Sequence, residues 1–294
     1  MRLRHLVLPL LLALLAPSCA EPAAVVTSTA PATTTSAPAA SNTTAEPGLP
    51  PCLAGDQAFA TDGALASGLL DDQESDAELV AGLRWTAYQG CERVVVELAT
   101  AGGAPATEPG GVRAELLRDQ GIIRLRLDDL VTSTAIADRV VERELVDRVY
   151  VVRSLDGDLY VDIHLGSPVL ARASINRSPA EVIVDLRSGG PELEARPVVA
   201  DSAVVVAPTG HEAEYPLIVE GYARTFEAAV VLRIRVANQL DIEEVTSAAD
   251  YLVTWGEYRF EVPGGPTGNV EVFVGEDSPE DGHERGAHFN LEMG

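Results

Sequence analysis

The feature that most constrains the fold is a series of short apolar segments, from residue 52 onward, that are separated by turn-forming residues. Within several segments apolar and polar side chains alternate, as in residues 123–127 (IRLRL) and 159–165 (LYVDIHL). A period of two places successive side chains on opposite faces of a strand. The pattern therefore predicts an all-β fold of half-buried antiparallel sheets.

A turn-rich stretch at residues 188–191 (SGGP) divides these segments into two groups. Strands are predicted before it at residues 94–98, 123–127, 150–152, 159–165 and 182–186, and after it at residues 203–206, 217–219, 228–236, 258–262, 270–274 and 289–291. Many short strands at such spacing are typical of β-sandwiches. We therefore predict two small β-sandwich domains in tandem, at residues 52–190 and 196–294.

Residues 1–19 are predicted to be a lipoprotein signal peptide. Arg2 and Arg4 precede an apolar run over residues 6–15, which is too short to span a bilayer. The small residues that lead into Cys19 resemble a lipobox, at which bacterial lipoproteins are cleaved and lipidated on the new N-terminal cysteine. Ala16 stands where leucine is usual, and cleavage by ordinary signal peptidase is the alternative.

Residues 20–51 consist almost entirely of alanine, threonine, serine and proline, and Glu21 and Glu46 are their only charges. A segment of this composition cannot bury a core. We predict a disordered linker with an average reach of about 30 Å, which holds the domains away from the membrane.

The three cysteines support the prediction of an exported protein with a lipid anchor. Cys52 and Cys91 fall in the first predicted domain and can pair in an oxidising compartment. Cys19 is then the odd cysteine, and a thioether to lipid gives it a use.

The charge of the chain limits its partners. The formal net charge is −24, and removal of Arg2 and Arg4 with the leader leaves 19 arginines against 45 acidic residues, or −26. Nucleic acid and anionic headgroups would be repelled, so the membrane link is expected to be the lipid alone. The absence of lysine beside abundant arginine and alanine indicates a GC-rich genome, such as that of an actinobacterium, or adaptation to salt.

The first domain resembles an AMIN-like domain over about residues 80–188. The resemblance is carried by residues 82–85 (GLRW), 91–98 (CERVVVEL), 158–163 (DLYVDI) and 181–186 (EVIVDL). Domains of the related amidase N-terminal type are β-sandwiches associated with peptidoglycan and envelope localisation. The resemblance thus implies binding rather than catalysis.

The second domain resembles the immunoglobulin-like domain of bacterial spore germination over about residues 196–293. Residues 216–228 (PLIVEGYARTFEA), 258–262 (YRFEV) and 268–273 (GNVEVF) carry this resemblance, with Thr225 in place of the more usual valine. Such domains also occur in envelope lipoproteins of bacteria that do not sporulate. A role in germination is therefore not implied.

Motifs for catalysis or cofactor binding are missing from the sequence. It contains no Gly-x-Ser-x-Gly elbow, no phosphate-binding glycine loop and no paired metal-binding cysteines, so we predict no enzyme, no cofactor and no metal site. An acidic stretch at residues 276–283 has the glycine of a calcium loop, but Pro279 and His288 occupy positions that need oxygen ligands. We expect a hairpin loop there.

One group of side chains could form a ligand face. The pair Asp156-Gly157 predicts a two-residue type I′ turn, which pairs Arg153 with Tyr160, Val151 with Asp162 and Val149 with His164. Arg153, Tyr160, Asp162 and His164 would then share one face and could bind a saccharide. An ordinary exposed polar face explains the same residues.

Together these features predict a non-catalytic, extracytoplasmic lipoprotein at the outer face of the cell membrane. It would act as a binding or scaffold protein for peptidoglycan or for another envelope protein. Two alternatives remain: an accessory regulator of a cell-wall hydrolase, and a glycan-processing enzyme that uses aspartate and glutamate pairs.

Overall fold

A computed structural model describes residues 49–65, 75–127, 131–280 and 282–294, which are almost entirely β-structure. The predicted signal peptide, Cys19 and nearly all of the predicted linker lie outside these residues. The helical structure in the described part is a single 3-10 turn at Phe226–Ala228, and none of the described residues form a helix that could cross a membrane.

The first group of strands forms a β-sandwich. Its strands are β1 (Gly63–Ala64), β2 (Leu79–Tyr88), β3 (Cys91–Ala99), β4 (Val112–Leu117), β5 (Ile122–Leu127), β6 (Ser133–Thr134), β7 (Asp138–Val140), β8 (Val146–Arg153), β9 (Leu159–Leu165), β10 (Val169–Asn176) and β11 (Glu181–Ser188). One sheet has the strand order β10-β11-β3-β2-β6. It packs against a second set of strands in the order β1-β4-β5-β9-β8, and β7 pairs with β8. Apolar side chains such as Val96 and Val161 fill the core between them.

The second group forms another sandwich. Its strands are β12 (Val198–Val199), β13 (Ala203–Ala207), β14 (Glu212–Ala213), β15 (Leu217–Ala223), β16 (Ala229–Val236), β17 (Gln239–Ser247), β18 (Trp255–Val262), β19 (Gly268–Asp277) and β20 (Glu284–Met293). The sheet β14-β20-β19-β16-β17 faces the strands β18-β15-β13-β12. In β16, Leu232 and Ile234 enter the core, whereas Arg233 and Arg235 form ion pairs on the outer face. The predicted all-β sandwich class and the predicted strand positions are confirmed.

The two sandwiches share one sheet. Strand β18 pairs with β8 in parallel, with Trp255 opposite Val152 and Gly256 opposite Arg153, which joins the two half-sheets into ten described strands. A third buried cluster lies on the faces of this sheet that point away from both sandwich cores. Its members come from both sandwiches: Ile122, Tyr150, Val152, Tyr160, Val204, Val206, Tyr222 and Trp255.

The start of the first sandwich is held by a covalent bond and by a buried ionic cluster. Cys52 and Cys91 form a disulfide, which confirms the predicted pair. The buried side chain of Arg172 donates to the carbonyl oxygen of Cys52 and to the carboxylate of Asp185. Arg93 donates to the same carboxylate from the neighbouring strand. The segment at Cys52 is thereby attached to the outer face of the β3-β11-β10 sheet.

We predict that Cys91→Ser lowers the free energy of unfolding by about 4 kcal/mol under oxidising conditions, because the disulfide joins residues 39 positions apart and restricts the unfolded chain. Urea denaturation with and without reductant measures the difference. Reductant should destabilise the wild type and leave the variant unchanged. Equal stability of the two proteins under oxidising conditions would contradict a structural disulfide.

Candidate functional site

The β8–β9 hairpin differs from its prediction by one residue. Ser154 N donates to Asp158 O and Gly157 N donates to Ser154 O, so the loop comprises residues 155–157, with Gly157 at φ 98°. A three-residue loop of this kind is a type I turn followed by a left-handed residue. The predicted two-residue turn and its register were wrong. The observed pairs are Arg153 with Leu159, Val152 with Tyr160, Tyr150 with Asp162 and Arg148 with His164.

The shift separates one predicted ligand residue from the other three. Tyr160, Asp162 and His164 remain together on β9, whereas Arg153 is one position out of phase with them. The guanidinium of Arg153 instead donates to carbonyl oxygens of its own hairpin and of a nearby loop. Val152 lies opposite Tyr160 in its place, and Tyr150 lies on the same face opposite Asp162.

The face that carries Tyr160, Asp162 and His164 is buried, so both interpretations made from the sequence were wrong. Tyr160, Asp162 and His164 are only 3%, 0% and 3% exposed. The second sandwich covers them with two aromatic side chains, Tyr222 of β15 and Trp255 of β18. The face is therefore neither a site open to a saccharide nor an exposed polar surface, but part of the joint between the two sandwiches.

A buried ion pair lies at the centre of this joint. Arg124 Nε and Nη2 donate to Asp162 Oδ1 and Oδ2 over 2.8 and 2.7 Å, which is a bidentate arrangement. The guanidinium also stacks over the Tyr160 ring, 4.4 Å from its centre. Burial lowers the pKa of Arg124, but the Asp162 carboxylate outweighs that effect and the pKa is raised overall. Both oxygens of Asp162 are thus occupied by an internal partner.

Aromatic rings surround the ion pair. The Tyr150 ring lies 4.7 Å from His164, 5.1 Å from Tyr222 and 4.9 Å from Trp255, in tilted or edge-on geometries that aromatic pairs favour. Trp255 Nε1 donates to Asp138 Oδ2 over 2.8 Å, and His164 Nε2 is hydrogen-bonded to the hydroxyl of Tyr222. Contacts across the joint are therefore polar and directional as well as apolar.

His164 is neutral in this environment. Burial lowers the pKa of its imidazole to about 3, and the nearby charges of Arg148 and Arg124 act in the same direction. Burial also raises the pKa of the Tyr222 hydroxyl. The hydrogen bond between the two side chains therefore joins two uncharged groups, and the arrangement is suited to holding the sandwiches together.

An open groove lies beside the joint, along the connection between the sandwiches. A cavity of about 480 Å³ is lined by Arg196, Val198, His211, Phe289 and Asn290, among others. A second cavity of about 370 Å³ is lined by Arg143, Asp147, His164 and the same Arg196. We call these two cavities the Arg196 groove.

The wall of the Arg196 groove is fixed to the first sandwich. Glu194 N donates to Arg118 O over 3.1 Å, and the side chains of these two residues form an ion pair. Gly121, at φ 70°, lies so close to the connecting segment that a Cβ would be 2.5 Å from Ala195 O. Side chains other than hydrogen are excluded there, and the segment is held against the β4–β5 turn.

The acidic stretch at residues 276–283 comprises the end of β19 and its connection to β20. Asp277 forms an ion pair with Arg233, and Ser278 N donates to His283 O across the loop. Asp281 lies outside the described residues. Within the described part of the chain, no cluster of histidine, cysteine, aspartate and glutamate side chains could hold a metal ion.

Sequence reasoning missed the partners that make the joint, namely Arg124, Tyr150, Tyr222 and Trp255, and it missed Arg196. Aromatic residues at the positions that alternate with core residues were the available signal for the joint, because a face exposed to water rarely carries several large rings. No pattern in the sequence marked Arg196, because it lies in the connecting segment after the last strand of the first sandwich.

Comparison with known families agrees with the second sandwich. Residues 202–283 match the family model described as the immunoglobulin-like domain of bacterial spore germination, which covers β13 to β19. This match confirms the resemblance of the second domain. No curated protein and no solved structure matches the chain. The AMIN-like resemblance of the first domain stays a prediction.

We predict that Asp162→Asn lowers the free energy of unfolding by about 3–5 kcal/mol, because it leaves a buried guanidinium without its charge partner. Arg259→Gln is the matched control, since it breaks an exposed pair with Glu220 and should cost less than about 1 kcal/mol. Urea denaturation followed by tryptophan fluorescence compares the three proteins. An Asp162→Asn variant as stable as the control would contradict a structural role for the pair.

The lowered pKa of His164 predicts that the stability of the protein depends on pH. Its pKa is about 3 in the fold against an ordinary value of 6.5, so its contribution is complete above about pH 6.5 and is lost as the pH falls toward 3. The slope from this group reaches about 1.4 kcal/mol per pH unit. His164→Gln should flatten the stability curve between about pH 6.5 and pH 5. The exposed His211→Gln should not, and identical slopes for both variants would exclude His164 as the cause.

Proposed function

We propose that the protein is a non-catalytic lipoprotein of the cell envelope that binds cell-wall glycan or another envelope protein as a scaffold. It would be anchored at the outer face of the cell membrane through lipid on Cys19. The N-terminal sequence supports the anchor, as does the disulfide between Cys52 and Cys91, which leaves Cys19 as the odd cysteine. The composition of residues 20–51 supports a linker between anchor and domains.

The observation that carries the binding proposal is the Arg196 groove. Both sandwiches contribute to its walls, and the shared sheet and the buried joint hold these walls together. Binding to a preformed groove avoids much of the ordering cost that a flexible site incurs. By contrast, the acidic and basic groups of the joint are bonded to one another, which favours a structural role for them over a catalytic one.

The two ligand classes have different support. The AMIN-like resemblance of the first domain favours cell-wall glycan, because domains of the related type are associated with peptidoglycan. A protein partner is favoured by the exposed apolar side chains of Tyr251, Leu252 and Val253, which project from one loop. Asp250 accepts four hydrogen bonds from the backbone and side chains of that loop and holds it in place.

We predict that Cys19→Ala moves the protein from the membrane fraction to the medium or periplasm, because a strongly acidic chain has no affinity of its own for anionic lipid. Immunoblots of fractionated cells measure the distribution. If the variant loses its leader, as judged by its mass, and still stays with the membrane after a high-salt wash, the anchor is wrongly assigned.

The released Cys19→Ala protein also tests binding. It should co-sediment with purified peptidoglycan, or cross-link to a defined protein in envelope extract. Sedimentation with a neutral polysaccharide such as cellulose serves as the control. Failure to bind both peptidoglycan and any envelope protein would contradict the scaffold proposal.

A further inference from the structure

We propose that the Arg196 groove binds a carboxylate-bearing sugar, with the guanidinium of Arg196 on the carboxylate and the ring of Phe289 against the sugar. This assignment rests on the proposed function and names the ligand class for the same groove. Three observations support this assignment. The guanidinium of Arg196 has no partner among the described residues, the other charges near it balance one another, and the larger cavity has an apolar floor.

The guanidinium of Arg196 lacks a partner in the described part of the chain. It forms neither a hydrogen bond nor an ion pair with any residue that the structure describes, and it is exposed to solvent. Acidic partners are abundant in the sequence, because the chain has 45 acidic residues against 21 arginines. Several buried and half-buried arginines elsewhere are ion-paired, among them Arg93, Arg118, Arg124, Arg172 and Arg233.

The charges near Arg196 leave its own charge uncompensated. Glu194 lines the larger cavity, but its carboxylate is already paired with Arg118. The smaller cavity is lined by Asp147 and also by Arg143, which carries the opposite charge. The guanidinium of Arg143 stacks over a tryptophan ring and has no carboxylate partner in the described residues. His164 is neutral there. The groove is therefore a locally basic site in a strongly acidic protein.

A carboxylate is the anion that this site favours. A planar guanidinium binds a carboxylate through two parallel hydrogen bonds. A polyanion such as a chain of phosphates would carry many charges into the field of a protein at −24, which opposes its approach. A single carboxylate on an otherwise neutral ligand adds one charge and meets one arginine.

The rest of the larger cavity is suited to a sugar ring. Phe289 and Val198 pack against the core of the second sandwich and leave part of their apolar surface in the cavity. The apolar face of a pyranose can lie on such a ring, while its hydroxyl groups reach the exposed side chains of His211 and Asn290. A cavity of about 480 Å³ falls within the size range of small-molecule sites.

The carboxylate could come from two sources, and the experiment separates them. One is the lactyl ether of muramic acid in glycan strands that have lost their stem peptides, since the peptide otherwise forms an amide bond with this carboxyl group. The other is a uronic acid in another envelope polysaccharide. We would titrate the released Cys19→Ala protein by calorimetry with a disaccharide of N-acetylglucosamine and N-acetylmuramic acid, and with a glucuronic acid disaccharide. The methyl ester of each sugar is the neutral control.

At least one free acid should bind the protein tenfold or more tightly than its ester, and high salt should weaken that binding. Arg196→Gln should remove the difference between acid and ester, whereas Arg259→Gln, which changes an exposed arginine outside the groove, should retain it. Because Arg196 has no partner in the described residues, Arg196→Gln should unfold like the wild type, so that a loss of binding reports on the groove.

Each remaining outcome has a distinct meaning. If neither acid binds more tightly than its ester, or if Arg196→Gln retains the preference, the assignment is overturned. If Arg196→Gln retains both the acid preference and the binding to peptidoglycan, the groove assignment is overturned while the proposed function stands. Acid-specific binding at Arg196 without binding to peptidoglycan or to an envelope protein would support the groove and overturn the proposed scaffold.

Discussion

The buried pair of Arg124 and Asp162 is the interaction on which the arrangement of the two sandwiches depends. An unpaired carboxylate or guanidinium at this depth would be strongly unfavourable, so each group requires the other. The pair belongs entirely to the first sandwich, through β5 and β9. Its low-dielectric surroundings, however, include Tyr222 of the second sandwich. Docking of the second sandwich thus completes the buried environment of the ion pair between Arg124 and Asp162.

The same joint determines where open surface remains. The shared sheet and the third apolar cluster remove from solvent the faces that would otherwise be the outer surfaces of two independent domains. The connecting segment at residues 194–198 stays at the surface beside the joint, and it is clamped to the β4–β5 turn. A segment that would be a flexible hinge in a tandem of separate domains becomes a rigid wall between two cavities.

Much of the fold could be predicted from the sequence because it follows from local rules. Alternation located β5, β9 and β16, and the cysteine count gave the disulfide. The hairpin register could not be derived, because Asp-Gly suits both a two-residue turn and the end of a three-residue loop, and these differ by one position. Burial of Asp162 was likewise not predicted, because Asp162 and His164 alternate with core residues just as they would on a face in water. The aromatic residues of the same face were the signal that it is covered. Arg196 was missed because its role comes from neighbours distant in the chain.

The disulfide at the entrance to the first sandwich has a mechanical consequence. A pull on the chain from the N-terminal side of Cys52 reaches β3 through the bond to Cys91, and it reaches the neighbouring strands through Arg172 and Asp185. The load is therefore spread across the middle of a sheet rather than applied to an edge strand that could peel away one hydrogen bond at a time. A chain held in this way can tolerate tension from a tether while the sandwich remains folded.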